Sequence, residues 1–271
     1  MTANVRARNI EDADRAKRGE KSNICGHYSA WLHYAYLQLG ETSKAEAMMD
    51  LALERVEGDA SKSEWGYFVE MRSRQIVDTE DWAQASRWTV SLDQFPSDKK
   101  GTKGYGTALF KYQTTNALAG LYLGDDSLAH ALLEQSKPEA PGASLQIDQL
   151  AGLLAIQDGK IEVGMQLLNQ AAEAEDALPL AYGPPELVEP AYESLGKSLL
   201  AQGRWKEAAA AYRRAIERTP RRPLAVDGFA KAAKQLSADE LSSVKVPNKK
   251  SGGTARMSTR SQEICLPATS G

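Results

Sequence analysis

The chain has 271 residues, 42% of them hydrophobic and 25% charged, so it is long and apolar enough to bury a substantial core. A formal charge of -3 and a pI near 5.8 leave no positive field with which to recruit nucleic acid. Its two cysteines, Cys25 and Cys265, lie at opposite ends and form no disulfide framework.

Residues 1–21 are densely charged where a secretory leader would place a basic start and an apolar run, and residues 1–25 read as a charged N-terminal helix or the end of a fragment. Residues 22–40, SNICGHYSAWLHYAYLQLG, contain no Asp, Glu, Lys or Arg and have the length of a bilayer span. Ser22, Asn23, His27, Ser29, His33 and Gln38 interrupt the stretch, so it reads as a buried helix and no membrane span is predicted.

Helix-turn-helix units follow. Residues 28–56 carry Leu32, Tyr36, Gly40, Ala45, Met49 and Ala52, and residues 64–92 carry Ile76, Glu80, Trp82 and Ala85. Residues 107–135 carry Gly120, Gly124, Ala129 and Leu133, and residues 145–173 carry Gly152, Gly159, Gly164, Leu168 and Ala171. The clearest unit is 189–220, with Tyr192, Leu195, Gly196, Leu199, Gly203, Ala208, Tyr212, Ala215 and Pro220. There Leu195 and Leu199 share a helical face, Gly196 leaves room for a close helix, Gly203 makes the turn and Pro220 stops the second helix.

Turns at 40, 80, 124, 159 and 203 recur every 35 to 44 residues, with longer polar loops at 58–64 and 95–104. No run alternates β-branched with polar residues, so no sheet is predicted. Residues 223–236 form one more amphipathic helix, with Leu224, Phe229, Ala232 and Leu236 inward and Lys231 and Lys234 outward. Ser237 to Glu240 is a capping box for a short last helix reaching about Val244. From residue 246 to 271 the apolar content is too low to fold alone, which predicts a disordered tail. The expected fold is all-α: a right-handed α-solenoid of about five units plus a capping helix over residues 26–245.

The residues of unit 189–220 follow the tetratricopeptide pattern of aromatic, Leu-Gly, large apolar, Ala, aromatic, Ala and Pro. YSAWLHYAYLQLG, MRSRQIVDTEDWAQA and YGPPELVEPAYESLGKSLLAQGRWKEAAAAYRRAIERTPRRPLA together resemble the C-terminal half of a large bacterial family of tetratricopeptide proteins, over most of residues 26–236. The resemblance implies a helical solenoid and no enzymatic activity. Such proteins usually carry further helical repeats upstream, and many are exported. The chain therefore reads as a short form or part of a longer protein, cytoplasmic as it stands and exported in the second case.

Signals for chemistry are sparse. His27 and His33 are six residues apart and face different sides of one helix, and with Cys25 they lack the closer pairings that zinc helices use. No Gly-x-Ser-x-Gly elbow is present, and no cysteine has a histidine partner in reach. Gly101 to Gly106, GTKGYG, lacks the Lys-Ser/Thr ending of a phosphate loop and reads as a flexible connection. The acidic pairs Glu80–Asp81 and Asp125–Asp126 read as solvated helix caps. No catalytic residue, cofactor or metal is predicted.

The first helices of such an array line its concave face. The register places there Tyr34 and Gln38, then Tyr67, Glu70 and Arg74, then Lys111, Thr114 and Tyr122, then Gln149, and finally Glu193 and Lys197. Aromatics with Arg and amides suit a binding surface. Ala30 and Tyr34, at the positions of a carboxylate clamp, carry no charge, which argues against a receptor for chaperone C-termini. The expected function is a scaffold that binds a peptide or partner domain in the groove. Alternatives are a small-ligand or sensing domain, or the substrate-recognition half of a longer enzyme. Tyr67 and Arg74 are expected to be exchangeable without loss of the fold.

Overall fold

The computed structural model describes residues 2–95, 108–135, 141–180, 183–185 and 187–244, and every regular element among them is helical. The predicted tail and the glycine-rich run 101–106 lie outside the described residues, as does most of the loop at 95–104. A leading helix, α1 (Thr2–Lys17), packs on α2 (His27–Gln38), which pairs with α3 (Thr42–Val56). Then come α4 (Lys62–Thr79), the pair α5 (Ala108–Leu123) and α6 (Ser127–Gln135), and the pair α7 (Pro141–Gln157) and α8 (Ile161–Ala177). The last pair is α9 (Ala191–Ala201) and α10 (Trp205–Arg218), closed by α11 (Pro223–Ala233) and α12 (Ala238–Ser242). No helix among the described residues is long and apolar enough to cross a membrane.

The turns sit where the sequence puts them. Gly40, Gly124, Gly159 and Gly203 all have φ between 70° and 84°, and Glu80 has φ 53°. A left-handed residue lets the chain reverse directly after a helix, and only glycine adopts it without steric cost. The capping box at Ser237 is formed with Glu240, and a second one, Ser61 with Glu64, starts α4 at Lys62. The loop expected over 58–64 is therefore shorter than its reading.

Within units, small residues set the spacing. A Cβ at Gly196 would lie 2.8 Å from the Tyr212 ring, and one at Gly228 would lie 2.2 Å from it. Tyr212 is thus clasped by α9 on one side and α11 on the other, with Ala208 and Ala215 buried beside it. Between units, successive first helices touch: α2 with α4, α4 with α5, α5 with α7, α7 with α9 and α9 with α11. That row is the face predicted to be concave. Buried side chains form a first cluster around α2 to α4, a middle one around α5 to α7, and a last one from α7 to α12.

One unit departs from the expectation. After Glu80 the chain makes a 3-10 turn, Trp82–Ser86, instead of a second α-helix. Arg72 of α4 explains the difference. Its Nε donates to the Trp88 carbonyl at 2.7 Å, and one terminal nitrogen donates to the Ala85 carbonyl at 2.5 Å and to Asn116 Oδ1 at 2.8 Å. Trp88, 1% exposed, is driven into the first cluster and donates through Nε1 to Asp50 at 2.8 Å. With these carbonyls turned to the guanidinium and Trp88 seated in the cluster, Trp82 and Ala85, although spaced for a helix, do not form one.

Candidate functional site

The row of first helices is polar where a core would be apolar. α4 is buried on all sides from Met71 to Val77, a run that includes Arg72, Ser73, Arg74 and Gln75. Buried polar groups are costly unless satisfied, and Ser73 and Gln75 each find a partner on a neighbouring first helix. Thr115 of α5 donates to Ser73 at 2.8 Å, and His33 of α2 meets Gln75 at 3.1 Å.

Arg74 points to the inner side. Its Nε donates to Glu70 Oε1 at 2.8 Å, and its terminal nitrogens donate to the carbonyls of Val188, at 3.4 Å, and Pro185. Its guanidinium lies 5.5 Å from the centre of the Tyr34 ring. Lys111, from α5, pairs with the other oxygen of Glu70. Burial opposes ionisation of Glu70, but the two cations win and hold its pKa down at about 2.

The carbonyls that Arg74 holds belong to the connection between α8 and α9, which returns across the inner face. Leu187 joins the last cluster and Val188 the middle one. Gln149 donates to the Glu189 carbonyl at 3.3 Å, and the Glu189 carboxylate accepts from the Tyr122 hydroxyl at 3.0 Å and the Lys197 ammonium at 2.8 Å. Tyr122 is stacked on Trp82, with ring centres 4.1 Å apart, and Lys197 also pairs with Glu80 at 2.7 Å.

A third cluster closes the array. Arg222, just after α10, donates to Glu193 and to Asp78 at 2.6 Å each, joining the last unit to α4. The three side chains are at most 2% exposed. One guanidinium serves two carboxylates, and Glu193 Oε2 has no hydrogen-bond partner. Burial, aided by Asp78, outweighs Arg222 and lifts the Glu193 pKa to about 7. Glu193 therefore binds its proton more tightly folded than unfolded. Its contribution to stability is full below about pH 4.5 and is lost as the pH rises through about 7. Glu193→Gln stays neutral throughout, so stability should shift in favour of the variant between those two pH values, by about 3 kcal/mol at most. Urea titrations across that window measure it; a difference independent of pH would show that Glu193 ionises normally.

Between α2, α4, α5 and Pro184–Pro185 the inner face stays open, as a cavity of about 460 Å³. Of the residues expected on this face, Tyr67, Glu70, Arg74 and Lys111 line the cavity, and Tyr34 lies beneath Arg74. Tyr122, Gln149 and Lys197 hold Glu189 instead. Gln38 donates to Asp78 at 2.9 Å, Thr114 donates to the Lys111 carbonyl at 3.0 Å, and Glu193 is committed to Arg222. One expectation for this face does not hold. Arg74 is 1% exposed and cannot be exchanged freely, because the chain's own return segment covers it.

Sequence reasoning missed His33, Asp78, Glu189 and Arg222 as members of the inner face. The one usable signal was the connection itself, since α8 ends at Ala177 and α9 starts at Ala191, far more than a turn needs. His27 packs on Trp31 with ring centres 4.8 Å apart while His33 is buried against α4, so the two do not converge. Burial pushes the Cys25 thiol up to about 12, which leaves it unreactive. On the surface, Asp126, His130 and Asp158 bring one ligand atom each within 4.8 Å of one another, a grouping of metal-binding chemistry that joins two remote turns. Asp158 is already paired there with Lys160 at 3.1 Å.

Residues 190–222, which span α9, α10 and the approach to α11, match the family model of the tetratricopeptide repeat. The match speaks for the repeat and not for the narrower bacterial family. Neither the curated proteins nor the solved structures compared with the chain gave a match. Residues 190–222 are thus a tetratricopeptide repeat within an all-helical array of stacked pairs, and the repeat supports a general role as a scaffold for contacts with other proteins.

Proposed function

We propose that the scaffold captures an extended segment of a partner protein on its inner face, beside the cavity at α4, and that its role is binding rather than catalysis. One observation carries the reading: the inner face already holds a non-helical stretch of polypeptide, the chain's own residues 183–185 and 187–189. Arg74 and Gln149 grip that stretch by its carbonyls. Bonds to main-chain carbonyls give affinity with little dependence on sequence, and pockets beside them add specificity. The neighbouring pair Glu70 and Lys111 is about a quarter exposed, at 24% and 28%, and open to a second stretch.

Affinity capture from extracts of the native host, followed by mass spectrometry, tests the reading. Tyr67 is half-buried at the cavity. Tyr67→Ala should lose partners that the wild type recovers while keeping its helicity. Equal recovery from the folded variant would move the binding site off this face. A small-ligand role is the second reading, supported by the cavity volume, which lies within the range of small-molecule sites.

A further inference from the structure

We propose that the cavity beside α4 takes an aromatic group bearing an N–H or O–H donor, an indole or a phenol, with His33 Nδ1 as its acceptor. The proposal rests on the reading of the inner face as the partner surface, and it names the anchor: a tryptophan or tyrosine side chain.

His33 lines the cavity and is fully buried. Its Nε2 meets the Gln75 amide oxygen at 3.1 Å, and since that oxygen can only accept, Nε2 carries the hydrogen. Nδ1 is then a bare acceptor, buried and without a hydrogen-bond partner. Burial lowers the His33 pKa to about 4, so the ring is neutral and the acceptor is available at neutral pH. Buried polar atoms left unpaired are rare, and this one belongs to a residue that lines the cavity.

Gly66 lies inside α4, where glycine weakens a helix relative to alanine. A Cβ there would meet nothing within 4 Å, so no close packing accounts for the glycine. What its missing side chain leaves is part of the cavity. The walls suit a flat ring: Trp31, Tyr67 and Met71 on the helices, and Pro184–Pro185 opposite. A Cβ at Gly183 would lie 2.6 Å from the Trp31 ring, so the return segment is seated directly on that indole.

Charge and hydrogen bonding narrow the class. Two cations, Arg74 and Lys111, stand at the cavity against one carboxylate, Glu70, which both already engage. A cationic group would be repelled there. A phenyl or aliphatic group would fill the walls but leave Nδ1 unpaired, a loss of about tenfold in affinity.

The test uses the full chain and ligand-detected saturation-transfer NMR with N-acetyl-tryptophanamide, N-acetyl-tyrosinamide, N-acetyl-phenylalaninamide and free indole. The tryptophan and tyrosine probes should bind, and the phenylalanine probe about tenfold more weakly. Addition of the tryptophan probe should shift the His33 Nδ1 nitrogen resonance of the wild type. Gly66→Leu, whose side chain enters open space, should abolish binding without lowering the melting temperature. Should that variant melt early, the His33 resonance of the wild type still decides. Equal binding of the phenylalanine probe, an unmoved His33 resonance, or binding unchanged in folded Gly66→Leu would overturn the proposal. Free indole bound tenfold tighter than the blocked amide would assign the cavity to a free ligand of the same chemistry, and the reverse to a side chain. Partner capture with no probe bound would overturn the anchor alone. Probe binding by a protein that captures no partner would overturn the scaffold reading alone.

Discussion

Replacing Arg222 with methionine should destabilise the protein by about 3–5 kcal/mol. Two carboxylates, Asp78 and Glu193, converge on this guanidinium at 2.6 Å, and all three groups are shielded from water. Truncation leaves both acids buried and facing each other. Glu193 can relieve part of the cost by taking a proton, since its pKa already lies near 7. Adding Glu193→Gln to Arg222→Met should therefore recover part of the loss at pH 8 and little at pH 5. Urea unfolding followed by circular dichroism measures both. A loss below about 1 kcal/mol would mean that the last unit does not close on α4 through this cluster.

Arg74→Glu should be at least as damaging, at about 4 kcal/mol or more. The side chain is 1% exposed and donates to Glu70 and to the carbonyls of Val188 and Pro185. A glutamate there would set a second carboxylate beside Glu70 and offer acceptors to acceptors. Arg74→Met removes the donors without adding charge and should cost clearly less. Melting temperatures of the two variants beside the wild type decide the matter. An unchanged value for Arg74→Glu would show that the return segment does not lie on α4.

The repeat architecture was legible because its determinants are local. A reversal after a helix needs a left-handed residue, and the sequence marks it with glycine at 40, 124, 159 and 203 and with Glu80 at the remaining position. The Ser237–Glu240 box closes over three residues and forms as read. The small residues about Tyr212 specify how closely α9, α10 and α11 approach. The register of the first helices follows from these anchors, and Tyr67, Glu70, Arg74 and Lys111 line one cavity in the structure.

What lay beyond reach has a common cause. Helical spacing in 82–85 was overridden by Arg72, ten or more residues upstream, taking the carbonyls of Ala85 and Trp88. MRSRQIV reads as a helix with a polar face, yet α2, α5 and the return segment enclose it. Arg222 finds Asp78 across 144 residues, and Arg74 finds Pro185 across 111. A turn or a cap is decided within about four residues, by φ and by the nearest hydrogen-bond donors. The partner of a buried charge is decided by which distant elements come back to it, and a single sequence holds no local trace of that return.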